Sequence, residues 1–219
     1  MTRRGWVWLT VVFCLTVLVE LPAGWVLRGQ ALPVAGVSGS LWQGEARQVG
    51  EAGPVHWHWR PWHREIEIDL AYQGQGWRAR LGGWPWQWQA ELEALGPRAS
   101  VASVYRLAGQ WQGVVRLQGK GSQCLQAQGR LAVEDLALAA PWSLGLGQGW
   151  VEMDCRAGWR LRGQLTQIGQ HELKLDADLL AHRATVALDL QPDAGLIAVL
   201  RGMQWLGPQV LSGRKEIQW

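Results

Sequence analysis

His56, His58, His63, Glu65, Glu67 and Asp69 fall in one short segment, the densest group of chemically capable side chains in the chain. His56 and His58 are two residues apart, so on an extended backbone they point to the same side. His63 follows after a turn at Pro61. Three imidazoles are a set that zinc or copper would accept. Against this, His56 and His58 are also the polar positions of a half-wet strand, and no cysteine or paired carboxylate stands beside them. Glu65, Glu67 and Asp69 would be an acid–base set if they converged on one substrate. Their spacing instead makes them the solvent face of a strand. Serines are few, no G-x-S-x-G elbow occurs, and neither a phosphate loop nor a dinucleotide fingerprint is present. The reading is a non-enzymatic protein with no catalytic residue, no metal and no cofactor.

Cysteine supplies the remaining chemistry. Of the three, Cys14 lies in an apolar N-terminal run, which leaves Cys124 and Cys155 as an even pair. In an oxidising compartment a disulfide between them is the default, and two free buried thiols are the other reading. The bridge would close a long loop and stabilise by about 3–4 kcal/mol in the chain-entropy model.

The elements that carry these residues read mostly as strands. Val55, Trp57 and Trp59 alternate with His56, His58 and Arg60. Ile66, Ile68, Leu70 and Tyr72 alternate with Glu65, Glu67 and Asp69. Trp77, Ala79 and Leu81 do so with Arg78 and Arg80, and a further run takes in Trp84, Trp86, Trp88, Ala90 and Leu92. Leu173, Leu175 and Ala177, then Ala184, Val186, Leu188 and Leu190, repeat the pattern. Strict period-two patterning predicts antiparallel sheet with one buried and one wet face. Frequent glycines predict turns, bulges and curvature. The fold expected is all-β: a curved, mostly antiparallel sheet, a partly open barrel or groove, with one or two short helices. These helices are expected over 98–107 and over 194–205, the second stopped by Gly207-Pro208. Trp42–Gly50 and Trp111–Gly119 share the pattern W-Q-G-x-x-R-x-x-G, which fits two related halves or chance likeness in a glycine-rich chain.

Upstream, Arg3 and Arg4 precede an apolar stretch over 5–27 whose one charge is Glu20. At about 1.5 Å per residue it would give roughly 35 Å of helix, enough for a hydrocarbon core of about 30 Å. Trp6, Trp8 and Trp25 stand at its ends, as interfacial rings do. A cleaved signal peptide is the rival, but no clean small-residue cleavage site follows. The expected organisation is a cytoplasmic tip (1–4), a transmembrane anchor (5–28), a short tether (29–36) and an exported β domain (37–219). The positive-inside rule sets the orientation. Glu20 either reaches the far interface or contacts a partner helix. From Arg28 onward the net charge is +2, too small to argue for nucleic acid or an electrostatic membrane patch. Seventeen Trp beside one Phe are what a GC-rich genome would favour, so they are not by themselves a carbohydrate site.

Gly36-Val37-Ser38-Gly39-Ser40-Leu41-Trp42-Gln43-Gly44, then Trp57-His58-Trp59-Arg60-Pro61, then Cys124, Cys155 and Leu206-Gly207-Pro208 together resemble protein N of the bacterial type II secretion system. The resemblance implies a single-pass inner-membrane protein with a periplasmic domain, an accessory of the apparatus that exports folded proteins. Implied partners are the inner-membrane platform proteins and the outer-membrane secretin. No catalytic residue comes with the family. Gly36, Gly39 and Gly44 are expected where strands bend or approach closely, with Trp42 packed under the sheet. The alternative is a lipid-binding or lipid-transfer module of the AsmA-like envelope class, with an apolar β-groove. An open apolar face at Trp57, Trp59, Trp84, Trp86 and Trp88 would favour that alternative, and a filled core would favour a scaffold.

Overall fold

The structure is a computed structural model that describes residues 3–27, 33–99, 101, 106–140, 143–156, 158–202, 204–207 and 209–219. Two N-terminal helices, α1 (Arg3–Val19) and α2 (Ala23–Leu27), lead into strands β1 (Val34–Gly39), β2 (Gln43–Val49), β3 (Val55–Arg60), β4 (Glu65–Tyr72), β5 (Gln75–Trp84) and β6 (Gln87–Pro97). There follow β7 (Arg106–Lys120), β8 (Gln123–Ala140), β9 (Leu144–Asp154), β10 (Arg160–Gln167), β11 (His171–Asp178) and β12 (Arg183–Leu190). Helix α3 (Leu196–Gly202) and β13 (Ser212–Gln218) complete the order. All thirteen strands form one sheet in which each strand pairs with its neighbours in sequence, antiparallel throughout. The sheet is open, with β1 and β13 as its edges. The expectation of an all-β, mostly antiparallel architecture holds.

Register sorts the side chains onto two faces. Val55↔Leu70, Trp57↔Ile68 and Trp59↔Ile66 continue into Leu70↔Trp77, Ile68↔Ala79 and Ile66↔Leu81, then into Ala79↔Leu92 and Leu92↔Val115. The opposite face carries His56↔Asp69, Asp69↔Arg78 and Arg78↔Glu93. Along β4 the apolar and the charged positions are alike half-buried. Such symmetry marks a single layer, with no second sheet stacked over that part among the described residues. Among the described residues the packed hydrophobic cluster lies toward the far strands. There α3 lays Leu196, Ile197 and Leu200 against Leu188, Leu190 and Leu206, with Leu146, Leu173 and Val186 around them.

Five expectations differ from the structure. The apolar N-terminal stretch is not one helix: α1 stops at Val19 and α2 restarts at Ala23. Pro22 lies between them, lacking an N–H and disfavouring helix in the residue before it. Pro22 instead bridges to Ser40, and the Leu21 carbonyl accepts the Leu41 N–H at 3.0 Å. Among the described residues no helix is long and apolar enough to cross a membrane. The alternating run from Trp84 to Leu92 is also broken: Trp84 ends β5, Pro85 and Trp86 make the hairpin turn, and β6 starts at Gln87. The helix expected over 98–107 is absent at its ends, since Arg98 and Ala99 are irregular and Arg106 and Leu107 are already in β7; residues 100 and 102–105 lie outside the described residues. The helix expected over 194–205 forms over the shorter range of α3, with Met203 and Pro208 outside the described residues. Of the tether at 29–36, residues 29–32 lie outside the described residues, and Val34–Gly36 belong to β1.

The W-Q-G-x-x-R-x-x-G echo falls in unlike places. Trp42 occupies the β1–β2 turn, whereas Trp111 sits inside β7 opposite Val133. A different likeness lies beneath it. Trp57 covers Gly44 across one ladder, and Trp88 covers Gly119 across another. Each indole N–H reaches a carbonyl in the hairpin that its glycine strand forms: Trp57 Nε1 donates to Ser40 O at 3.2 Å, and Trp88 Nε1 to Gly121 O at 2.9 Å. A Cβ on Gly44 would lie 2.6 Å from Ser38 O and closer still to Trp57 Cζ2. Only glycine lets the indole lie flat on the neighbouring strand.

Candidate interaction surface

The polar face carries an ordered ion ladder that runs across four strands. Arg78 donates to Asp69 through Nε at 2.7 Å and Nη2 at 2.9 Å. Arg80 joins Glu67 at 3.1 Å to Glu91 at 3.2 Å, and Arg116 closes on Glu91 at 2.6 Å. The bidentate hydrogen bond from Arg78 holds the Asp69 carboxyl below the usual carboxylate range, outweighing its partial burial. Arg116 does the same for Glu91. Glu67 and Asp69, imagined as acid–base candidates, are therefore bound in a structural network of arginines. The signal was in the sequence: acidic positions in one strand, basic in the next and acidic in the one after, all on one face.

His56 and His58 share that face and, with Glu45, Glu67 and Asp69, line an open depression of about 450 Å³. His56 Nδ1 lies 3.5 Å from Glu45 Oε2. His63 sits apart in the β3–β4 turn. Among the described residues no three His, Cys, Asp or Glu gather as a metal would require.

The opposite face is apolar and only partly covered: Leu81 and Leu92 are 43% and 38% exposed, and Trp59 is 37% exposed. Trp77 and Trp111 meet across it with centroids 6.0 Å apart. Gln75, buried at the point where the β6–β7 ladder ends, serves as a side-chain substitute for strand pairing. Its Nε2 donates to Leu95 O and, at 3.3 Å, to Trp111 O, while its Oε1 accepts the Trp111 N–H at 3.4 Å. Nothing in the sequence pattern singled out Gln75, because the divergence of two strands is a tertiary fact.

Of the other anticipated residues, Gly36 and Gly39 adopt φ of 65° and 90° at β1. A Cβ on Gly39 would lie 2.6 Å from Gln43 O. Trp42 lies at the sheet's end beside Trp59, with centroids 5.0 Å apart, and Pro61 opens the β3–β4 turn. Glu20 is exposed just past the last turn of α1. Cys124 and Cys155 are placed as a disulfide pair with Cα atoms 5.2 Å apart. Beside them Trp159 stacks on Trp88 at 5.6 Å, and its Nε1 donates to Ser122 O at 2.7 Å.

A one-layer antiparallel sheet with an ion ladder on one face and a half-open apolar surface on the other defines a class: a β-meander that works through its surfaces. A family model, "Type II secretion system (T2SS), protein N", matches residues 30–217, and the chain belongs to that family. It is a component of the type II secretion machinery, located in the cell envelope with the other parts of that system. Comparison with curated proteins and with solved structures finds no match.

Proposed function

We propose that this chain is a non-enzymatic, membrane-anchored accessory of the type II secretion apparatus. Its N-terminus is cytoplasmic, its sheet periplasmic, and its contacts are with the inner-membrane platform proteins and the secretin. The observation that carries this reading is the family match over nearly the whole sheet. The exposed apolar side chains of α1, Trp6, Val7, Trp8, Leu9 and Phe13 among them, support anchoring, since water would not tolerate that helix bare. In this reading α1 is the segment that enters the membrane, while Leu21 and Pro22 stay tied to the β1–β2 turn and Ala23 of α2 is buried. Photo-crosslinking in cells, with probes along 65–73, tests the partner assignment. Adducts with platform proteins or secretin are expected, and their absence at every position would overturn it.

A second reading, lipid binding on the apolar face, is favoured by the partial exposure of Trp59, Leu81 and Leu92. Native mass spectrometry after gentle extraction separates the two. Retained phospholipid would add lipid handling to the role, and lipid-free protein that still co-purifies with secretin would remove it.

A further inference from the structure

In a sequential antiparallel meander the turns alternate between two ends of the sheet, so the turns after β1, β3, β5, β7, β9 and β11 and the end of β13 share one rim. That rim collects tryptophan: Trp42, Trp62, Trp84, Trp86, Trp159 and Trp219 lie in or next to its turns. Several face solvent. Trp62 is 92% exposed, Trp219 59% and Trp86 58%, and Leu180 in the β11–β12 turn is 63% exposed. The opposite rim shows Ile168, Tyr72 and Val210 as its exposed large apolar side chains among the described residues; Trp205, in the connection between β12 and β13, is half-buried there with Lys215 over its ring, and Trp142, between β8 and β9, lies outside the described residues.

The turns of the aromatic rim are tied to one another as well as to their strands. The Gly83 N–H donates to Arg64 O at 3.1 Å, and the Gly121 N–H to Pro85 O at 2.9 Å. Arg64 lies over the Trp84 ring at 4.0 Å, and Trp84 stacks on Trp86 at 4.7 Å. The Trp84–Trp86 pair therefore forms a fixed platform rather than a loose loop end. The apolar N-terminal helix leaves the sheet at this same rim, through the Leu21–Leu41 and Pro22–Ser40 contacts of the β1–β2 turn. Arg64, Lys120 and Arg156 are exposed around the platform.

Indole rings favour the boundary between hydrocarbon and water, and basic side chains beside them favour anionic headgroups. We infer that the aromatic rim is a membrane-contact surface, with Trp62, Trp86 and Trp219 seated in the headgroup layer of an anionic phospholipid bilayer. The sheet then stands on end on the membrane and its opposite rim points away. Both faces stay open, the ion ladder to one side and the apolar surface to the other. The inference deepens the anchoring reading: the helix brings the sheet to the membrane, and the rim fixes its orientation there.

The test uses the full chain carrying Cys14→Ser and one nitroxide, at His63→Cys or Gln87→Cys on the aromatic rim or at Ile168→Cys on the other. These positions leave every rim tryptophan in place. Each protein is mixed with phosphatidylethanolamine–phosphatidylglycerol vesicles and floated. Collision rates with oxygen and with an aqueous nickel chelate are then compared by electron paramagnetic resonance. The oxygen-to-nickel ratio is expected to be at least about threefold higher at 63 and 87 than at 168, as for residues in the interface. Equal ratios in protein that floats with vesicles would overturn the rim assignment and leave anchoring intact. Labels at 63 and 87 shielded from oxygen and nickel alike would put a second copy or another protein on the rim, and overturn it too. A chain that does not float would sink both readings. Raised ratios in a chain whose Arg3 and Arg4 are cut by trypsin added outside the vesicles would uphold the rim and refute the spanning helix.

Discussion

Replacing Gly119 by alanine tests whether the tryptophan-on-glycine packing holds the sheet together. A Cβ there would lie 2.5 Å from Trp88 Cε2, closer still to Cζ2, and against the Gln123 carbonyl. The indole has to lift off. It then loses its hydrogen bond to Gly121 O, about 1 kcal/mol net, and its stack on Trp159, about 0.5–1.5 kcal/mol. The contact with the Gln123 carbonyl persists and adds overpacking strain of about 1–3 kcal/mol. Because Trp88 is only half-buried and can relax outward, the expected total is about 2–4 kcal/mol. Urea unfolding of the full chain in detergent, followed by far-UV circular dichroism, measures it, and the near-UV band of the Trp88–Trp159 pair should weaken. Gly96→Ala is the control, since a Cβ there meets nothing within 4 Å; it should be neutral, or stabilising by about 0.5 kcal/mol. In a double-mutant cycle, Trp88→Ala should reduce the cost of Gly119→Ala by at least about 1 kcal/mol. A loss under about 0.5 kcal/mol for Gly119→Ala, additive with Trp88→Ala, would refute the argument.

Acid should weaken the ion ladder: Asp69 and Glu91 have folded-state pKa values lowered by Arg78 and Arg116, so their contribution is complete above about pH 5 and lost as pH falls through the lowered values. Arg78→Met should flatten the pH dependence of the urea midpoint below that point, and an unchanged slope would count against the ladder. His171 is buried, with its pKa lowered by desolvation and its Nε2 3.1 Å from Leu146 O. The unfolded chain therefore binds the proton first, and stability should fall as pH drops below about 6.5; His171→Gln should remove that slope. Reduction of the Cys124–Cys155 pair, which closes a separation of 31 residues, should cost about 3–4 kcal/mol. A mobility shift on reduction and a lowered urea midpoint check it, and three alkylatable thiols in the untreated protein, rather than Cys14 alone, would refute it.

Much of the fold was legible in the chain itself because a period of two is a local property. Ile66, Ile68 and Leu70 set against Glu65, Glu67 and Asp69 are enough to place β4 and its two faces. The failures have local causes too. Pro85 and Pro22 are single residues inside otherwise regular patterns, and each overrides the pattern around it by removing a donor and restricting its neighbour. The candidate sites were harder to read. The sequence placed Glu67 and Asp69 on a strand face, but their tie to Arg78, Arg80 and indirectly Arg116 depends on which strands are neighbours. Gln75 was invisible for the same reason.

By itself the sequence determined that the chain is an antiparallel β protein of the type II secretion protein N family, with an apolar N-terminal segment. Those properties follow from residue order: alternation, glycine punctuation, hydropathy and short motifs. Only the tertiary structure decided that the strands form a single open layer and that tryptophans distant in sequence share one rim with the exit of the apolar helix. Strand order and register are long-range facts, set by hairpins that bring every second turn to the same end, and no window along the chain contains them.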